Sequence, residues 1–179
     1  KVVGISDVSG GYRNPAGIDV AAAVAHVRAN RSLAGFPGGE PIANEELLAL
    51  ECDCLIPAAL GGVFDRDAAE RVRAPIVVEG ANGPTWPEAD EVFRRRDIVV
   101  VPDILANAGG VVVSYFEWVQ NIQQFTWDLE RVNAELEKKM VRAFDTVWRV
   151  SREKSLPLRT AAFVVGIGRV GRAQVMTGI

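Results

Sequence analysis

Cysteine, histidine and lysine are scarce in this 179-residue chain, and long apolar runs are missing. The two cysteines, Cys52 and Cys54, stand two apart, so on a strand they would point to one face. A metal needs more ligands than that, and a disulfide at this spacing has poor geometry. They read as reduced thiols of a cytoplasmic protein, and no metal site is expected. The single histidine, His26, has no partner motif and reads as surface or core filling. The lysines are Lys1, Lys138, Lys139 and Lys154, one at the first position and three in a helical tail, so none is placed to act as a catalytic base. No apolar run approaches the ~20 residues that span a bilayer. The opening residues, KVVGISD, lack the apolar region of a signal peptide. Positive charge is not in excess: Lys and Arg number 20 against 23 Asp and Glu, a net charge of −3. That leaves no basic footprint, so nucleic acid is not expected as a partner, and the lack of a spanning run leaves no membrane partner expected.

What is present is ordinary globular composition, 49% hydrophobic and 24% charged, in a length that suits one domain with a sizeable core. Val2 to Ser6 reads as a short strand ending at Asp7. Ser9-Gly10-Gly11 and Asn14-Pro15 are turn signals. A helix is expected from about Asp19, and Asn44 is placed to cap a short one carrying Glu45 and Glu46 in its first turn. Cys52 to Ile56, Ile76 to Glu79 and Ile98 to Val101 read as buried strands. Between them, Asp65 to Arg73 reads as helix, stopped by Pro75. Thr85 and Glu88 form the T-x-x-E pattern of a capping box for a helix through Arg95. The alternation predicts an α/β fold of right-handed βαβ units on a mostly parallel sheet. From Val111 the pattern becomes helical, with an apolar period near 3.6 from Asp128 to Glu153 and a further segment from Leu158 to Thr177. The expected division is a sheet-bearing part, 1–125, and a helical part, 126–179, that packs back over it.

In open α/β sheets, ligands bind beyond the carboxyl ends of the strands. Asp7, Ala58, Ala59, Asn82 and Asn107 all fall at such ends. Asp7 reads two ways, as a turn aspartate or as an acceptor for the ribose hydroxyls of an adenosine. Asn82 and Asn107 read as residues that tolerate turns or as amides facing a neutral ligand. Ala58 and Ala59 are either packing or an apolar wall. Val111 and Ser114 stand one helical turn apart, where Ser114 faces either solvent or a ligand.

Four blocks decide among these. They are ISDVSGGYRNPAGID at 5–19, CDCLIPAAL at 52–60, IVVEGANGPTWPEAD at 76–90 and PDILANAGGVVVSYFEWVQN at 102–121. Together they resemble the C-terminal part of the glutamate dehydrogenases, in the Glu/Leu/Phe/Val dehydrogenase family, over nearly the whole chain and in the family's order. The resemblance implies a Rossmann-like, doubly wound sheet followed by C-terminal helices, with 1–125 as a partial dinucleotide-binding domain. It implies NAD as cofactor, held by Asp7, Ala58, Ala59, Asn82 and Asn107. Asp7 would favour NAD over NADP by repelling a 2′-phosphate. Val111 and Ser114 match positions that meet the substrate side chain, and the SYFEW continuation is of the glutamate type. The implied reaction is reversible oxidative deamination of L-glutamate to 2-oxoglutarate and ammonia, by a homo-oligomer, commonly a hexamer. A leucine, phenylalanine or valine dehydrogenase is the nearest alternative. A non-catalytic nucleotide-binding or oligomerisation module is the more distant one.

Two departures matter. The family's glycine fingerprint should precede Asp7 by about 20 residues, and only six stand there. Its catalytic lysines and aspartate lie further upstream. The chain is therefore expected to be a portion of a larger enzyme, to hold no catalytic residue and to be inactive alone. Gly166-Ile167-Gly168-Arg169-Val170-Gly171 spells G-x-G-x-x-G, but it lacks the βαβ unit and the later acid that the motif requires. It reads as helix with unusual glycine content.

Overall fold

The computed structural model describes residues 1–178. The chain forms two compact units, one made of Lys1–Leu55, Gly61–Val77 and Thr85–Val99, the other of Ile56–Leu60, Val78–Pro84 and the described chain from Val100 onward.

In the first unit, β1 (Gly4–Asp7), β2 (Gly10–Arg13) and β3 (Glu40–Ile42) form an antiparallel sheet in that order. The sequence placed Val2 to Ser6 among strands alternating with helices and left residues 9–11 as a turn. Instead the two-residue loop Val8-Ser9 reverses the chain, pairing Asp7 with Gly10. Gly10 sits at φ 130°, a backbone state open mainly to glycine. Helix α1 (Val20–Asn30) starts where Asp19 accepts a hydrogen bond from the Ala22 amide at 3.0 Å. Its buried face joins Ile18, Ala23, Leu33 and Phe36 in a small core, with Tyr12 edge-on to Phe36 at 5.7 Å. His26 packs on Phe36 and contacts the Ala34 carbonyl, a filling role.

Two expected caps are corrected. Helix α2 (Asn44–Leu48) begins at Asn44, and Glu46 reaches back to the Ala43 amide at 3.2 Å. The Asn44 amide is used elsewhere, on the Asp7 carbonyl. After α3 (Arg66–Arg71), capped by Asp65, α4 (Pro87–Arg95) takes Trp86 as its N-cap and Pro87 in its first turn. Thr85 is drawn into extended pairing with Phe64 and stands one residue too early to cap. Proline's fixed φ starts the helix without a side-chain cap. Phe64 and Phe93 meet edge to face at 5.4 Å in the fully buried space beneath α3 and α4.

The strands β4 (Cys54–Leu55), β5 (Ile76–Val78) and β6 (Val99–Val101) form the second sheet in the order β4-β5-β6. Leu55 pairs with Val77 in parallel register, and Val99 and Glu79 donate to Pro75 and Val101 carbonyls at 3.0 Å. These are the apolar runs the sequence marked, shortened at their ends, and the α/β class with a parallel sheet holds.

In the second unit, α5 (Asp103–Ala106), α6 (Gly109–Gln123), α7 (Leu129–Lys154) and α8 (Leu158–Thr177) follow one another. Asp128 caps α7 through the Arg131 amide at 2.7 Å. Leu105, Val147, Leu158, Ala161 and Ala162 form the core that ties α5, α7 and α8 together. Gly166, Gly168 and Gly171 all lie inside α8, and beyond the helix's own backbone and chain neighbours nothing stands within 4 Å of where a Cβ would be. The six letters are helix, as the missing βαβ context required.

Candidate functional site

The second unit assembles the residues that follow the strands. β5 runs into Glu79-Gly80-Ala81-Asn82-Gly83, and β6 runs through Pro102 into α5 and Asn107. The Asn107 Nδ2 donates to Asn82 Oδ1 at 2.7 Å and lies 3.4 Å from the Gly80 carbonyl. Two acceptors on one side fix that atom as the nitrogen. Asn82 Nδ2 and Asn107 Oδ1 then make no hydrogen bond among the described residues, so one donor and one acceptor face outward from adjacent amides. The loop after β4 joins them. The Pro57 carbonyl accepts from the Ala81 amide at 2.8 Å. A Cβ on Gly80 would stand 3.2 Å from that of Ala58. Glycine at 80 is what allows Ala58 and the Asn82 turn to lie this close. Ala58 and Ala59 are exposed.

A buried ionic group holds this arrangement. Glu79 is 0% exposed. Its Oε1 meets Arg159 Nη2 at 2.6 Å, and its Oε2 accepts from the Asp103 amide at 2.8 Å. Asp103 in turn accepts from the Gly83 amide at 2.8 Å and meets Arg159 Nη1 at 3.3 Å. A buried carboxylate without partners would cost several kcal/mol, so these contacts are obligatory. Val111 is 76% exposed on the first turn of α6, and Ser114 stands exposed one turn further on.

Asp7 belongs to the first unit. Its Oδ1 accepts from the Ser9 amide at 2.8 Å and the Ser9 hydroxyl at 2.5 Å, and its Oδ2 accepts from the Leu33 amide at 2.7 Å. The Ser9 hydroxyl, with the two amides, holds the carboxyl below the usual aspartate value, outweighing partial burial that acts the other way. Asp7 is therefore anionic at neutral pH, and it is also the turn aspartate of the plainer reading.

The profile of the Glutamate/Leucine/Phenylalanine/Valine dehydrogenase family matches residues 1–178. The chain belongs to that family. The glutamate dehydrogenase of Thermotoga maritima is 52% identical over all 179 residues, which cover 43% of its length. The hetero-hexameric glutamate dehydrogenase of Thermus thermophilus, in its leucine-bound form, superposes on the whole chain with a TM-score of 0.92 at 35% identity, over 42% of that protein. The glutamate dehydrogenase of Peptoniphilus asaccharolyticus covers 98% of the chain with a TM-score of 0.80 at 34% identity, over 40% of its own length. The chain thus spans less than half the length of these family members.

Within this dehydrogenase fold, the structure brings Asn82, Asn107 and, through Gly80, Ala58 into one cluster. Sequence reasoning missed Glu79, Asp103 and Arg159. Glu79 left one signal, a carboxylate closing the apolar run Ile76-Val77-Val78, which demands a cation. Nothing pointed to Arg159, 80 residues away.

Proposed function

We propose that these residues form the cofactor-binding part of an NAD-preferring glutamate dehydrogenase, which interconverts L-glutamate with 2-oxoglutarate and ammonia. The observation that carries this reading is the Asn82–Asn107 amide pair, whose outward donor and acceptor suit a carboxamide or ribose hydroxyls. Asp7, Ala58, Ala59, Asn82 and Asn107 would hold NAD, which would supply the hydride acceptor for the substrate's α-carbon. The amide pair orients the nicotinamide half. Gly80 lets backbone approach, and Ala58 and Ala59 supply an apolar wall. Asp7 accepts hydrogen bonds from the adenosine ribose, and its charge disfavours a 2′-phosphate. Each Asp7 oxygen keeps accepting capacity beyond its present bonds. Val111 and Ser114 meet the substrate side chain, the hydroxyl donating to the γ-carboxylate. The lysines in this chain do not fit proton transfer, since Lys138, Lys139 and Lys154 all lie on α7 and Lys1 donates to the Pro15 carbonyl. The groups that activate water and move protons come from the rest of the protein, which acts in the cytoplasm as a homo-hexamer.

The test is a panel on the full-length protein: glutamate, leucine, phenylalanine and valine, each with NAD and NADP. Glutamate with NAD should give the highest kcat/KM. Preference for an apolar amino acid, or for NADP, would overturn the respective half of the proposal.

A further inference from the structure

We infer that Arg159 is a positioning residue for the nicotinamide half of the cofactor site, acting through Glu79 and Asp103. The inference rests on the dinucleotide reading above and adds a residue remote from the ligand-facing amides. Arg159 lies in the first turn of α8, and its guanidinium spans two carboxylates, Glu79 at 2.6 Å and Asp103 at 3.3 Å. Each carboxylate holds a backbone amide of a different strand-end loop. Glu79, from the loop after β5, fixes the Asp103 amide where α5 begins. Asp103, from the loop after β6, fixes the Gly83 amide next to Asn82. The Asp103 carbonyl also accepts from the Asn107 amide at 3.1 Å. The contacts cross between the two loops in both directions, and one cation neutralises both acids. Asn82 and Asn107 meet only if the loops keep this spacing.

The geometry explains why arginine stands at 159. A planar fork reaches two carboxylates at once, whereas a lysine ammonium is a single point charge on a flexible stem. Glu79 is wholly buried, so weakening its cation stresses the loops directly. The consequence should be local. The loops hold the two amides, while the adenosine half of the cofactor is assigned to Asp7, whose carboxyl accepts from Ser9 and Leu33.

The experiment uses the full-length enzyme with Arg159→Lys and, as a milder second variant, Asp103→Asn, which keeps an acceptor for the Gly83 amide. Binding of NAD is compared with binding of ADP, which shares only adenosine and diphosphate with it. Both variants should bind ADP as the unaltered enzyme does. Both should bind NAD about tenfold to a hundredfold more weakly, the scale set by small misplacements of a binding group. Amide exchange at Gly83 and Asp103 should quicken in step. Parallel loss of ADP and NAD binding, or unchanged NAD binding in a folded variant, would overturn the inference. An unaltered enzyme that binds ADP but discriminates against NAD would instead refute the dinucleotide reading beneath it.

Discussion

Arg95 and Arg96 are neighbours at the end of α4, yet replacing them should have very different costs. Arg96 reaches the carboxyl end of α3, where its Nη1 and Nη2 donate to the Ala69 and Val72 carbonyls, both at 2.6 Å. The last carbonyls of a helix have no partner within it. Ala69 and Val72 are 0% exposed, so water cannot substitute. Hydrogen bonds from a charged donor are worth about 1.5–3 kcal/mol each. Arg96 is half-buried, so solvent weakens that figure, and Arg96→Met should cost about 2–4 kcal/mol in all. Among the described residues Arg95 pairs only with Glu70, and both side chains are about half exposed, at 59% and 45%. Such a pair contributes about 0–1 kcal/mol. Methionine and arginine have similar helix propensity, and each variant removes one positive charge, so the comparison isolates the buried carbonyls. Urea unfolding of the full-length protein provides the assay, with both variants at the same subunit concentration. The Arg96→Met midpoint should fall well below the Arg95→Met midpoint. Equal shifts would refute the claim that the α3 carbonyls depend on Arg96.

Other outcomes follow from the same geometry. Ser114→Ala in the full-length enzyme should raise the KM for glutamate more than that for NAD; equal change in both, or none, would remove Ser114 from the substrate pocket. Asp7 has its carboxyl held down in the folded state, so its stabilising effect is complete above the ordinary aspartate value of about 3.9 and is lost as acid carries the pH through the lower folded value. The stability gap between the protein and Asp7→Asn should thus be constant near neutrality and shrink below about pH 4, and a gap that grows on acidification would reverse that sign. Cys54 is exposed, whereas burial pushes the Cys52 thiol up, opposed by a backbone hydrogen bond at Cys54 and aided by the charges of Cys54 and Asp53. Iodoacetamide should label Cys54 first, read by peptide mass; faster labelling of Cys52 would contradict it.

Particular residues show where the sequence was legible. Ile76-Val77-Val78 and Val99-Val100-Val101 are strands because a short apolar run between a proline and a polar turn has few other stable forms. Asp19, Asp65 and Asp128 were sound helix starts, since an aspartate just before the first helical turn satisfies amides locally. Asn44 and Thr85 were not, because each was recruited by a distant partner, the Asp7 carbonyl and the Phe64 strand. The same competition hid the β1–β2 hairpin. Its turn was visible at Ser9-Gly10-Gly11, but what the returning strand would pair with was not.

By itself the sequence determined the parallel strands within 52–56, 76–79 and 98–101, the helices between and after them and the family, because these depend on short-range pattern and on the order of residues. Tertiary structure decided which polar groups meet. It set the Asn107 amide on Asn82, and it supplied buried Glu79 with a cation from the far end of the chain. A buried charge must find a partner wherever folding brings one, and sequence distance carries no information about where that will be.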